Sequence, residues 1–343
     1  MTRRTFFEVA AAPLAVQTAL GASVQSGGDT QGRSTRMGIA TTSYLTAWRP
    51  KDTYEFLEHC HALGAAGIQS SINGDLKKIR SRAEQLGMYI EGMASLPKNG
   101  DTSEFERSLN DAKAVGAICL RTANLSGRRY ETFSSLSEWQ NFVKESNRSI
   151  DAAIPLVERY RIPLALENHK DRTVDELVTL LKKYDNEHLG VCLDFGNNIS
   201  LLDDPMEVIE RLAPYAVSTH VKDMGVGFYE DGFLLSEVKL GEGFLDLPRI
   251  ISAVHSARPK TRLSLEMITR DPLKVPCLTD KYWATFPDRN GRYLARTLKL
   301  VQTKTSHSKA LPRVSQLDHE AQLRAEEENV KACLLYARQK LHV

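Results

Sequence analysis

The chain has 343 residues, of which 42% are hydrophobic and 26% are charged, and this composition is typical of a globular protein. Its length allows one large domain or two ordinary ones. With 45 basic and 43 acidic residues the net charge is +2, a balance that gives no reason to expect a nucleic-acid partner. The five cysteines are far apart and lack any C-x-x-C spacing, which argues against a disulfide framework.

The first residues resemble an export signal. Arg3 and Arg4 are followed by two phenylalanines and by a modest apolar run that ends in small residues. This pattern predicts a twin-arginine-type signal peptide over residues 1–28 and a polar, Gly-rich linker over residues 29–36. The apolar run is too short for a membrane span, so no stable membrane anchor is expected. The hypothesis is a periplasmic or secreted protein, and a basic N-terminus without a targeting role is the alternative.

Eight short apolar segments follow, separated by polar loops, amphipathic patterns and glycines. Such segments predict strands that are buried in a sheet. The predicted strands cover residues 37–42, 67–71, 88–94, 117–121, 162–167, 189–194, 217–221 and 262–266. Pairs typical of helix N-termini precede several of the intervening helices, namely Asp52 with Glu55, Thr173 with Glu176, and Asp204 with Pro205.

Strands that alternate with helices eight times predict an α/β fold, a (β/α)8 TIM barrel, over residues 37–302. An open doubly wound sheet is the alternative, but no Gly-rich phosphate loop follows the first strand. Residues 303–343 are predicted to form a polar segment and a C-terminal helix. This helical extension is expected to pack outside the barrel or against another subunit.

The fifth to eighth predicted strands each end in a side chain that can bind a metal. If these strands lie in one parallel sheet, their carboxyl ends share a rim, where the four side chains can meet. Two glutamates, an aspartate and a histidine suit a divalent metal ion. Each residue alone has an ordinary alternative, such as a helix cap or an ion pair, but coincidence explains their shared position poorly. The predicted ligands are Glu167, Asp194, His220 and Glu266.

The chain contains the segments LALENH, VCLDFGN, STHVKD, LGEG and LSLE. Through these segments, residues 37–302 resemble the sugar phosphate isomerases and epimerases with a xylose isomerase-like barrel. This family shares its fold with family 2 AP endonucleases. The resemblance implies one divalent metal ion, Mn, Mg, Co or Zn, on the four strand-end residues. It also implies that Glu167 and Glu266 are the catalytic acid/base pair. A homodimer is an expectation that comes from the resemblance only.

The ligands suggest a reaction. A metal that binds a carbonyl and a neighbouring hydroxyl makes the adjacent C–H more acidic, and two glutamates can then move a proton between the faces of the substrate. We therefore expect a metal-dependent isomerase or epimerase that acts through an enediolate on a small carbohydrate, either a sugar or a keto-sugar or sugar acid. The alternative is a lyase, hydratase or decarboxylase that uses the same metal site on a 3-keto sugar or keto-sugar acid.

Two further alternatives are weaker. A three-metal AP endonuclease needs additional histidines at the strand ends, and the second strand ends in Gln69, Ser70 and Ser71. A non-catalytic sugar-binding barrel would not need all four ligands to be intact.

Four more residues near the same rim are predicted to bind the substrate. His169 and Lys222 stand two residues after a predicted ligand and can reach a sugar hydroxyl and a substrate carboxylate, respectively. Asn197 stands where several members of the resembling family carry a substrate-binding histidine. Arg270 lies in a segment rich in Pro and aromatic residues, 267–288, which forms either a lid over the substrate or an ordinary loop packed on the barrel.

Overall fold

The computed structural model describes residues 34–305 and 310–343. The predicted signal peptide and residues 29–33 of the predicted linker lie outside the described residues, so export stays a prediction. In the described ranges, no helix has the length and apolar character needed to cross a membrane.

Strands whose residues are almost all buried form the centre of the fold. Within the described residues the strands are β1 (Met37–Ala40), β2 (Gly67–Ser70), β3 (Tyr89–Met93), β4 (Leu120–Thr122), β5 (Leu164–Glu167), β6 (Leu189–Asp194), β7 (Ala216–Val221), β8 (Asp223–Tyr229), β9 (Gly232–Val238), β10 (Leu263–Leu265) and β11 (Leu273–Val275). The strands β1 to β7 and β10 are parallel and close into a barrel in the order β1-β10-β7-β6-β5-β4-β3-β2. This arrangement confirms the predicted (β/α)8 TIM barrel.

Helices occupy the connections between barrel strands, and further helices follow the last barrel strand. They are α1 (Thr53–Ala62), α2 (Leu76–Leu86), α3 (Ser103–Val115), α4 (Arg129–Thr132), α5 (Leu136–Tyr160), α6 (Val174–Tyr184), α7 (Pro205–Leu212), α8 (Leu247–Ala257), α9 (Asp280–Trp283), α10 (Gly291–Thr305) and α11 (His319–Tyr336). The predicted caps are confirmed. Thr173 and Glu176 form a reciprocal capping box, and Asp52 and Asp204 each accept a backbone N–H three residues further on.

Strand pairing puts the predicted ligands at one level of the barrel. Asp194 lies directly beside His220 across β6 and β7. Glu167 ends β5, which pairs with β6. Glu266 directly follows β10, and its backbone N–H donates to the Val221 carbonyl of β7 at 2.9 Å. The rim of a parallel barrel therefore brings together residues that are up to a hundred positions apart in the chain.

An antiparallel sheet between the seventh and eighth barrel strands was not predicted. β8 pairs with β9 along its whole length, and β11 adds to the other edge of β9. Gly225 and Gly227 weaken the strand pattern of β8, which explains why the sequence did not indicate it. Residues 267–288 consequently contain a strand and the short α9 instead of a plain loop. Among the barrel strands, the largest shift of a boundary is at β4, which starts at Leu120 instead of residue 117.

The predicted C-terminal helix is present as α11, and it packs against the loop that follows β1. Glu326 is fully buried at this contact. Its carboxylate accepts the backbone N–H of Thr46 at 2.5 Å and that of Trp48 at 2.8 Å. On the same helix, Asn329 donates to the Thr269 hydroxyl at 2.9 Å. α11 thus joins the loops after the first and the last barrel strand.

Replacing Glu326 by Ala should lower the free energy of unfolding by about 3 kcal/mol, because two partly buried backbone N–H groups lose a charged acceptor. Glu328→Ala, an exposed position on the same helix, is the matched control and should change stability by less than about 0.5 kcal/mol. Equilibrium unfolding in urea measures both values. Equal effects of the two substitutions would show that the contact contributes nothing to stability.

Candidate metal centre

The four predicted ligands meet at the carboxyl end of the barrel. One ligand atom from each of Glu167, Asp194, His220 and Glu266 can be chosen so that all four atoms lie within 4.8 Å of one another. All four residues are buried, and His220 is fully so. The prediction that these strand ends converge is therefore confirmed as geometry.

His220 is held by the floor of the barrel. Its Nε2 lies 2.6 Å from Oε1 of Gln69 on β2. An amide oxygen can only accept, so Nε2 carries the proton and donates it. The Gln69 amide is itself fixed, because its Nε2 donates to Glu91 on β3 at 2.8 Å. Glu91 also accepts hydrogen bonds from Ser218 at 2.7 Å and from Ser264 at 3.1 Å. This network fixes the ring so that Nδ1 points away from the floor.

The other ring nitrogen, Nδ1, faces the three carboxylates. It lies 3.4 Å from Glu266 Oε1, 3.5 Å from Glu167 Oε1 and 3.7 Å from Asp194 Oδ2. This nitrogen is buried and has no hydrogen-bond partner. One nitrogen and three oxygen donors around a common point fit a divalent metal such as Mn, Mg, Co or Zn. The four residues are therefore suited to hold the ion that the sequence predicted.

The electrostatics of the cluster also fit a cation. Burial opposes the charged form of His220, but the acidic groups nearby, with Cys192, Glu266 and Asp194 foremost, raise its pKa to about 10. Burial likewise opposes ionisation of Asp194, yet Lys222 and His220 hold its pKa at about 2. The carboxylates thus attract positive charge strongly, and a metal ion can replace the proton on His220 Nδ1.

Each carboxylate is also oriented by neighbours outside the cluster. Glu167 Oε1 accepts from Asn197 Nδ2 at 2.9 Å, and its Oε2 is paired with Arg121. For Asp194, Oδ1 accepts the backbone N–H groups of Gly196 at 2.9 Å and Asn197 at 2.7 Å. These contacts leave Glu167 Oε1 and Asp194 Oδ2 directed towards His220. The ligands are therefore held in position by the protein itself.

Glu266 is held in the same way. Thr42 Oγ1 donates to its Oε1 at 2.8 Å, and its Oε2 is paired with Lys222. Lys222 also lies 2.7 Å from Asp194 Oδ2. Burial opposes ionisation of Glu266, but His220 and Lys222 lower its pKa well below the usual value.

A cavity of about 530 Å³ opens beside the cluster. Glu167 and Glu266 form part of its wall, together with residues from the loops after several strands. The volume is within the range of small-molecule sites. The cluster is thus accessible to a ligand of the size of a sugar.

Three of the four predicted substrate-binding residues line this cavity, namely His169, Asn197 and Arg270. His169 is half-buried, its Nδ1 has no hydrogen-bond partner, and burial lowers its pKa well below the usual value. Arg270 forms a two-point ion pair with Glu237 of β9, at 2.5 and 3.1 Å. Lys222 lies behind the ligands instead, buried in its ion pairs, and is not part of the cavity wall. The substrate-binding roles of all four residues stay predictions.

Several residues of the site were not identified from the sequence. Gln69 and Glu91 are on predicted strands, but only the register shows that they point into the barrel and reach His220. Arg121 is the last residue of the fourth predicted strand. The predicted ligands also end their strands, so this position could have identified Arg121 as a residue of the site. Lys170 follows the LALENH segment, and its burial could not be read from composition. Glu237 belongs to the sheet that was not predicted.

Comparisons with known proteins agree with this description. A sequence profile of the family described as xylose isomerase-like TIM barrel matches residues 55–286. A 3-oxo-isoapionate decarboxylase from Pectobacterium atrosepticum is 28% identical over 244 residues, covering 66% of this chain and 82% of that enzyme.

Two solved structures share the fold. A D-psicose 3-epimerase has a TM-score of 0.58 at 14% identity, with 90% of this chain and 99% of that chain covered. A 3-keto-D-glucoside 4-epimerase from E. coli has a TM-score of 0.54 at 14% identity, with 78% and 99% covered. At such low identity these likenesses show the fold alone. The family profile, by contrast, spans more than half of the sequence, and this chain therefore belongs to the xylose isomerase-like TIM barrel family.

Proposed function

We propose that this protein is a divalent-metal-dependent enzyme that acts through an enediolate on a keto sugar or keto-sugar acid. The observation that carries the proposal is His220 Nδ1, a buried nitrogen without a hydrogen-bond partner that faces three carboxylates at 3.4 to 3.7 Å. The cavity beside it has room for a small carbohydrate.

When bound, a divalent metal supplies Lewis acidity, which polarises a carbonyl and stabilises the negative charge that develops beside it. Glu167 and Glu266 are the proposed acid and base, and both line the cavity. In each of them Oε1 faces His220, while Oε2 is paired with a cation, Arg121 or Lys222. We propose that the proton is carried on Oε2, the oxygen not directed at the shared centre of the cluster, and that Arg121 or Lys222 releases this oxygen when the proton binds.

Isomerisation or epimerisation is the first candidate outcome. It requires one glutamate to take a proton from the carbon next to the carbonyl and the other to return one. Decarboxylation is the second candidate, and the 28% identity to a 3-oxo-isoapionate decarboxylase favours it. In that case the C–C bond to the carboxylate breaks, carbon dioxide leaves, and the electron pair forms the enediolate. A glutamic acid then protonates the carbon, so one acid is sufficient.

Adding MnCl2 at 100 times its dissociation constant should stabilise the protein by about 2.7 kcal/mol, which corresponds to a rise of about 5 °C in the unfolding temperature. His220→Asn should abolish this rise, because it removes the nitrogen that faces the carboxylates. Differential scanning calorimetry measures both. The control is His319→Asn, an exposed position on α11 that should keep the full rise. An undiminished rise in His220→Asn would refute the metal centre.

Gln69→Leu should weaken metal binding by about 10- to 100-fold without touching a ligand, because it releases the His220 ring from its fixed orientation. Isothermal titration calorimetry with MnCl2 measures the affinity. Gln140→Leu, on the exposed side of α5, is the matched control and should bind as the wild type does. Unchanged affinity in Gln69→Leu would mean that the floor of the barrel does not orient the ligand.

Solvent deuterium should enter the substrate at the carbon next to the carbonyl, and a chelator should stop this exchange. NMR on a panel of ketoses, 3-keto sugars and keto-sugar acids identifies both the substrate and the carbon. Glu167→Gln and Glu266→Gln should each slow exchange by about 100-fold or more. Glu187→Gln, an exposed position, should exchange at the wild-type rate. Exchange that persists in chelator would contradict metal-dependent enolisation.

A further inference from the structure

We infer that the substrate is an anion, a keto-sugar acid whose carboxylate binds to Lys170 in the cavity. The inference rests on the proposed function, because the substrate has to reach the metal centre. It narrows the substrate class from sugars in general to sugar acids.

Lys170 is a buried cation without an anionic partner. The residue is only 4% exposed, and it forms part of the cavity wall. Its ammonium group donates to the side-chain oxygen of Asn197, which is neutral. Among the described residues no carboxylate oxygen lies within ion-pair distance of Lys170 Nζ. A buried charge without a counter-ion is costly, so Lys170 either gives up its proton or pairs with an anion that a ligand supplies.

Of the other cations in or beside the cavity wall, Lys98 is exposed to solvent and the rest already have carboxylate partners. Arg121 is paired with Glu167, Lys222 with Asp194 and Glu266, and Arg270 with Glu237. Lys170 is therefore the cation around this cavity that is both buried and left for a ligand. Burial, assisted by repulsion from Arg270 and Lys222, lowers the pKa of Lys170 to about 7, which is the expected response of a lysine in this situation.

The total charge of the site points the same way. When Lys170 is protonated, four cationic side chains, Arg121, Lys170, Lys222 and Arg270, balance four carboxylates, those of Glu167, Asp194, Glu237 and Glu266. A divalent metal adds two positive charges when His220 binds it as a neutral ring. The loaded site is then positive, and an anionic substrate restores part of the balance.

One buried ammonium group without a carboxylate partner matches a carboxylate better than a phosphate ester. A phosphate carries nearly two negative charges and is usually bound by several cations or backbone N–H groups. The guanidinium groups of Arg121 and Arg270 are already paired with Glu167 and Glu237, although the buried Nε of Arg121 has no acceptor of its own. The geometry therefore favours a singly charged group at Lys170.

Calorimetric binding of stable analogues tests this inference without turnover. The probes are D-erythronate and D-gluconate, each compared with the sugar alcohol of the same length, and D-ribose 5-phosphate. They are titrated into protein treated with EDTA and into protein loaded with MnCl2. In both forms the wild type should bind each aldonate at least tenfold more tightly than its alcohol. Lys170→Met should lose at least tenfold in aldonate affinity, with little change for the alcohols.

Lys170→Gln serves as a second neutral variant in case Lys170→Met does not fold, and circular dichroism checks both. Lys299→Met, an exposed position on α10, removes the same charge elsewhere and should leave the preference unchanged. Equal affinity for aldonates and alcohols, a preference that survives in Lys170→Met and Lys170→Gln, or tighter binding of the sugar phosphate would each overturn the inference. A wild type that binds no metal would refute the proposed function instead, and the EDTA-treated samples keep the two results apart.

Discussion

Three carboxylates buried around one imidazole are the constraint on which the rest of the site depends. Negative charges that are removed from water repel one another, and they are tolerated only where cations lie close by. His220, Lys222 and Arg121 provide those cations in the absence of a metal. A divalent ion exchanges with the proton of His220 and adds to the remaining pairs. The same surroundings that hold the carboxylates charged therefore also prepare them to bind the metal.

The floor of the barrel reflects this requirement. TIM barrels are commonly filled by branched apolar side chains, but here Gln69, Glu91, Ser218 and Ser264 form a hydrogen-bonded layer below the metal centre. Burial raises the pKa of Glu91, which favours its neutral form. Polar side chains thus take the place of apolar packing in this layer, and their hydrogen bonds fix the orientation of His220.

The barrel and its ligands could be predicted because they follow from the order of apolar runs and polar residues along the chain. Short apolar runs predict strands, and parallel strands bring their last residues to one rim, so Glu167, Asp194, His220 and Glu266 could be predicted to converge. Residues whose role depends on register or burial could not be found in this way. Gln69 reaches His220 only because closure of the barrel brings side chains of β2 and β7 together in its interior. Lys170 is distinguished only by its burial and its lack of a carboxylate partner. Glu237 was missed with β9, since glycines obscure the strand pattern of the neighbouring β8.

The contact between α11 and the loop after β1 has a consequence for biosynthesis. Thr42, which holds Glu266, lies at the start of the loop whose backbone at Thr46 and Trp48 is held by Glu326. Glu326 follows all eight barrel strands in the chain. Because a nascent chain folds from its N-terminal side as it leaves the ribosome, the barrel can close before this helix has emerged. The loop that carries Thr42 therefore gains its contacts with Glu326 only when α11 docks, and a nascent barrel without this helix should hold metal less firmly than the finished protein.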